Sequence, residues 1–217
     1  MVSDFTYRLV GHQEPRYNDS MTEQPDTKTQ MINIAAWLFA DRGFYGVSIA
    51  NIADELGLTK QALIHHFGTK EKLYGKVMAT IAARVVQHTT TAQDGDPQDR
   101  LEAFFEAFAA YAISHPNDTR LLMRELLDNK QRAEEAAHWY LEPFLRNLVS
   151  MVQATSRWHN APEPQALAVG YQLLGAVTYF VVSEPTLSRL FGAAQFAEMQ
   201  DIYPGELRRT VRALLAG

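Results

Sequence analysis

From Thr27 onward, apolar positions recur at intervals of three and four residues, and no run alternates apolar with polar over a strand's length. That periodicity predicts helix after helix and no sheet. A first helix starts near Thr27, with Gln30 three residues on as a capping-box partner, and stops at the basic turn Arg42-Gly43. Ile34, Ala35, Leu38 and Phe39 form its apolar face. Short helices follow at 48–56 and 59–66, and Thr69 caps a longer one through about Gln87. The segment 92–99 reads as a loop. Beyond it the pattern predicts helices at Arg100–Ser114, Asn117–Asn129, Arg132–Trp158, Glu163–Ser183 and Pro204–Leu215, with prolines and the segment HNAPEP as breaks. Residues 1–26 are polar and rich in turn formers, so they read as a disordered arm, with Met21 as an alternative start.

The segment 48–67 has the layout of a helix-turn-helix. Ser48 caps the first helix; Ile49, Ile52 and Leu56 share one face; Ala53 is small where two helices cross. Gly57 supplies the left-handed turn, Leu58 plugs the space beneath it, Thr59 caps the second helix and Leu63 faces inward. Lys60, Gln61, Ile64 and His65 are left on the outer side. A helix presenting its first residues this way fits a DNA major groove. Lys60 can donate to guanine or phosphate, Gln61 can pair bidentately with adenine, and Ile64 can touch a thymine methyl.

Charge sharpens that picture. The chain of 217 residues carries −5 overall, but of the three stretches 1–26, 27–76 and 77–217 only 27–76, with six basic and four acidic residues, is net positive. Without cysteine there are no disulfides or thiolate metal sites, and the composition suits a reducing cytoplasm. No nucleophile beside a base, metal-ligand cluster or glycine-rich phosphate loop stands out, so neither an enzyme nor a bound cofactor or metal is expected. The uncharged run 164–183 approaches membrane-span length, yet its glutamines, glycines and flanking glutamates favour a buried or subunit-interface helix.

The stretch IANIADELGLTKQALIHHFGTKEKLY resembles the DNA-binding segment of TetR-family (tetracycline-repressor-like) transcriptional regulators. His66-Phe67 at the end of the second helix and Thr69-Lys70-Glu71-Lys72-Leu73-Tyr74 carry the resemblance, supported upstream by Leu38–Phe44 and Val47-Ser48-Ile49. It covers about 27–78. It implies an all-α protein: a helix-turn-helix domain at 27–76 and a larger helical domain at 77–217 for dimerisation and effector binding. The partners it implies are a palindromic double-stranded DNA operator, a second copy of the chain and a small-molecule effector that releases the repressor. By position, Ser48 and Lys70 then look like phosphate contacts, and Thr59, Lys60, Gln61 and His65 like groove residues. His66 either reaches phosphate or packs beside Phe67. Ile64 departs from the tyrosine common in the family, which implies a different operator preference.

In the C-terminal part, aromatics and methionines exceed what a small bundle needs. Phe104, Phe108, Tyr111, Met123, His138, Trp139, Tyr171 and Tyr179 are the expected lining of an effector pocket, with Arg120, Arg124 and Glu125 as further polar contacts. Leu167, Gly170, Leu174, Val177 and Val181 are the expected dimer seam. A helical scaffold that never meets DNA is the competing reading of the same pattern, and an activator is as compatible with the sequence as a repressor.

Overall fold

The computed structural model describes residues 26–90, 95–128 and 140–216. Among these there are ten helices and no strand. The head comprises α1 (Thr27–Arg42), α2 (Ile49–Glu55), α3 (Lys60–Phe67) and the start of α4 (Lys70–Thr89). The body comprises the rest of α4, α5 (Pro97–Ser114), α6 (Pro116–Asp128), α7 (Glu142–Ala154), α8 (Glu163–Val182), α9 (Glu184–Phe191) and α10 (Ala193–Leu215).

Local chemistry sets most of these boundaries. Asp26, not Thr27, caps α1: its carboxylate accepts the Thr29 N–H at 2.8 Å. The helix ends at Gly43, whose φ of 73° a side chain rarely tolerates. Asp96 caps α5, and Pro97 occupies its first turn, where a missing N–H costs nothing. The helix therefore starts three residues inside the expected loop.

The largest departure lies near the C-terminus. Helix α8 ends before Glu184-Pro185 as expected, but the chain resumes at once as α9 and then α10. Helix α10 runs straight through Pro204, which the sequence suggested as a helix start. Its apolar stripe explains why. Phe196 before the proline and Leu207, Val211 and Leu215 after it are all buried on one face, against α5 and Phe180. Arg212 pairs with Glu102 at 2.9 Å and Arg208 pairs with Glu106, tying α10 to α5 from outside. The expected helix 132–158 is observed only from Glu142 to Ala154; residues 129–139 lie outside the described residues.

Helix α8 is long and apolar enough to cross a membrane by length and composition alone. Here it is built into the bundle, with Ala166, Leu173 and Val177 buried against α5, α6 and α7. One continuous hydrophobic core joins head and body, from Leu38 and Phe39 through Leu73 and Ile81 to Phe104, Phe105 and Leu148.

Candidate DNA interface and effector cleft

The helix-turn-helix forms as its spacing dictates. The Ser48 hydroxyl accepts the Asn51 N–H at 3.1 Å, and the Asn51 side-chain oxygen accepts the Ser48 N–H at 2.9 Å, closing a capping box. Gly57 sits at φ 64°, and the Leu58 N–H donates to the Ala53 carbonyl at 2.9 Å across the turn. Thr59 caps α3 through the Ala62 N–H. Ile52, Ala53, Leu63 and Phe67 are buried, which fixes the rotation of α3. Lys60, Gln61, Ile64, His65 and His66 are consequently exposed on one outer surface.

Two residues expected on phosphate are already engaged. The Ser48 hydroxyl also donates to Asn51 Oδ1 at 2.8 Å. Lys70 Nζ donates to the carbonyls of Phe44 and Val47 at 3.0 and 3.1 Å and lies 4.1 Å above the Phe44 ring. It clamps the α1–α2 turn and keeps one N–H in reserve. His66 lies beside Phe67, tilted, at 6.2 Å between ring centroids while remaining exposed.

This arrangement of capped helices has counterparts in known proteins. Residues 32–77 match the family model described as bacterial regulatory proteins, tetR family. Residues 32–77 thus form a TetR-family N-terminal domain. It is 33% identical over 60 residues to the transcriptional repressor KstR2 of Rhodococcus jostii, spanning 28% of this chain and 29% of that protein. The transcriptional activator FasR of Mycolicibacterium smegmatis is 33% identical over 103 residues, 45% of each chain. The chain thus spans less than half the length of these relatives, which are both regulators of transcription. Over the full length the likeness is one of fold. A TetR-like regulator from Rhodococcus sp. RHA1 superposes with a TM-score of 0.66 at 17% identity, covering 91% of this chain and all of that one. The TetR-family regulator PfmR from Thermus thermophilus gives 0.60 at 20% identity, covering 91% and 98%.

Above the TetR-family head, the body encloses an apolar cleft of about 490 Å³ between α4, α5, α6, α7 and α8. Phe108, Met123, Tyr171 and Tyr179 line it, joined by Leu122, Leu126, Leu141, Phe144, Leu145 and Thr178. Two expected lining residues are elsewhere. Phe104 is fully buried behind the cleft, packed on Phe105 and Phe144. Tyr111 turns away to donate to Asp118 at 2.5 Å, and Arg84 grips the same carboxylate at 2.7–3.0 Å. Burial, reinforced by Asp118, pushes the Tyr111 hydroxyl pKa well above its ordinary value. Desolvation pulls the Arg84 pKa down, but the Asp118 charge and the interactions with Tyr111 and Asp118 together outweigh it and leave the group raised. His138 and Trp139 lie outside the described residues.

Arg124 and Glu125 are not cleft contacts either. The Arg124 guanidinium donates to the Ala40 and Asp41 carbonyls at 2.9 Å each, at the C-terminal end of α1. Glu125 accepts from Tyr74 of α4 at 2.6 Å. One turn of α6 thus faces the cleft with Leu122, Met123 and Leu126 and holds the head with Arg124 and Glu125. Nothing local in the sequence signals these contacts, because the partners stand 51 to 84 residues apart.

The expected dimer seam needs correction. Gly170, Leu174, Val177 and Val181 are buried inside their own chain, and Leu167 is partly buried against the same core. Gly170 admits Leu148 of α7, whose methyl and Cγ would stand 2.8 Å from an added Cβ. The reading failed because an uncharged helix offers two faces, and the bulkier one packs inward. The face of α8 left open carries Ala168, Gln172, Gly175, Ala176 and Tyr179.

Proposed function

We propose that the chain is a dimeric, effector-responsive transcriptional repressor that binds a two-fold symmetric DNA operator through α3. The observation that carries this reading is the exposed row Lys60, Gln61, Ile64 and His65 on a fully capped helix-turn-helix. Lys60 and Gln61 would read base edges, Ile64 would replace a polar contact with an apolar one, and Thr59, His65 and His66 would flank them. Ser48 and Lys70 would reach phosphate only by giving up or sharing their internal bonds.

The apolar cleft supports a small apolar or aromatic effector, its volume lying inside the roughly 300–1,000 Å³ typical of ligand sites. Helix α6 is the physical link. A ligand pressing on Leu122, Met123 and Leu126 would shift Arg124 and Glu125, and with them α1 and α4. Such couplings typically amount to about 1–3 kcal/mol.

The dimer seam would use the open, uncharged face of α8 together with Leu190, Phe191 and Ile202 of α9 and α10, which are at least half exposed in the single chain. Exposed apolar surface of that kind is a liability on a monomer. A regulator of this type would act in the cytoplasm.

Duplex affinity measured across a salt series, with light scattering on the free protein, tests the reading. Dimer mass and affinity falling steeply with salt are expected, because each neutralised phosphate releases counterions. A monomer with weak, salt-insensitive binding would return the chain to the scaffold reading.

A further inference from the structure

The apolar cleft has no charged residue in its lining, and its Thr178 hydroxyl already donates to the Leu174 carbonyl at 3.0 Å. An ionic group has no place inside it. The cleft does not end in isolation, however. Leu141 lines it, and the preceding residue, Tyr140, lines a second cleft of about 530 Å³ with the opposite character. That second cleft is walled by Lys28 of α1, His66 and Phe67 of α3, and Glu71, Lys72, Gly75, Lys76 and Ala79 of α4.

Three lysines face one carboxylate there. Among the described residues, Lys28, Lys72 and Lys76 make no ion pair; nor does Lys70, but its ammonium is occupied by backbone carbonyls. The Tyr140 hydroxyl lies over Gly75 of α4, where an added Cβ would stand 2.9 Å from it and push it aside. Helix α4 contributes Ala79 to the basic cleft and Val85 to the apolar one, about 9 Å apart along its axis. Of the α4 lysines in this cleft, Lys76 is set back about 9 Å along the axis from Lys70, while Lys72 and His66 lie at the α3 end.

The geometry points to an amphiphilic anion as the effector: an elongated apolar chain in the cleft of Phe108, Phe144 and Tyr171, ending in a carboxylate or phosphate held by Tyr140, Lys28 and Lys76. This rests on the effector reading above and narrows it. The anion joins α1 and α4 of the head to Tyr140 of the body, so the ligand bears on the joint between them directly.

Calorimetric titration of the full chain with dodecanoate, dodecyl phosphate and dodecanol, each below its aggregation threshold, tests this. The two anions are expected to bind at least about fivefold more tightly than the alcohol, as two partly exposed ion pairs allow. The Lys28→Gln/Lys76→Gln variant should reduce the anions to the level of the alcohol and leave the alcohol unchanged. Met123→Trp, on the cleft wall at α6 and away from the open face of α8, should weaken all three. Equal binding of anions and alcohol, unaffected by the lysine changes, would overturn the anionic head while leaving an apolar effector standing. No binding of any of the three would overturn the amphiphile and leave the cleft to an aromatic effector. Unchanged dodecanoate binding with a shallower salt dependence on DNA would assign the lysines to the duplex and overturn the proposal.

Discussion

Truncating Arg124 to alanine removes two charge-assisted hydrogen bonds, to the carbonyls of Ala40 and Asp41, and a positive charge from the C-terminal end of α1. The Asp41 bond is exposed and water can replace it, whereas the Ala40 bond is partly buried. One bond from a charged donor contributes about 1.5–3 kcal/mol, and the helix-end charge adds about 0.3–1 kcal/mol. With part of the first offset by water, the expected loss is about 2 kcal/mol in urea or thermal unfolding. The same change loosens the end of α1 against α6, although the two helices still pack together. Heads no longer held in one orientation must be ordered on binding, so operator affinity should fall about three- to tenfold. The slope of affinity against salt should stay as it is, because Arg124 is not on the α3 surface. Arg124→Lys should recover part of the stability, since an ammonium serves one carbonyl well and two poorly. Wild-type stability and wild-type affinity in Arg124→Ala would refute the clamp, and a changed salt slope would move Arg124 to the DNA surface.

Other expectations follow from single contacts. Gln61→Ala should cost about 1–3 kcal/mol of base discrimination while sparing non-specific affinity, as read by competition between matched and mismatched duplexes. Ile64→Tyr should retain or raise general affinity and change the preferred sequence in a selection assay; an unchanged preference would place Ile64 off the bases. Gly170→Ala should destabilise the chain by about 1–3 kcal/mol because its methyl meets Leu148, whereas Gly175→Ala should be nearly neutral in the monomer, both read by denaturant midpoints. Tyr203 stacks on Phe180 at 3.8 Å, its buried hydroxyl has no hydrogen-bond partner among the described residues, and burial pushes that hydroxyl up to about 12. Because the folded value lies above the unfolded one, its contribution is complete below about pH 10 and is lost as pH rises through 12. Tyr203→Phe should therefore flatten the alkaline stability profile and raise stability at neutral pH by about 1 kcal/mol.

The head was legible because its signals are local. Ser48, Gly57, Thr59 and Gly43 act on neighbours within a few residues, and the sequence alone places them. The body was less so. Its helices follow from periodicity, but which face of α8 turns inward depends on Leu148 meeting Gly170, a tertiary fact. Pro204 suggested a helix start, and only the buried stripe from Phe196 to Leu215 shows the helix continuing through it. Aromatic content suggested a pocket, and Phe108, Met123, Tyr171 and Tyr179 do line the cleft. Tyr111 does not, because Asp118 and Arg84 claim its hydroxyl. Lys70 and Arg124 read as ligand contacts because a lone basic residue gives no sign that backbone carbonyls elsewhere will occupy it.

The most direct test of the central claim is selection of bound duplexes from a random pool at near-physiological salt, run in parallel on the native chain and on Gln61→Ala. A two-fold symmetric motif with half-sites a helical turn or more apart, degraded at the bases facing Gln61 in the variant, is the predicted result. No enriched motif in the native chain, or an identical motif from both proteins, would contradict the assignment of α3 as the reading helix.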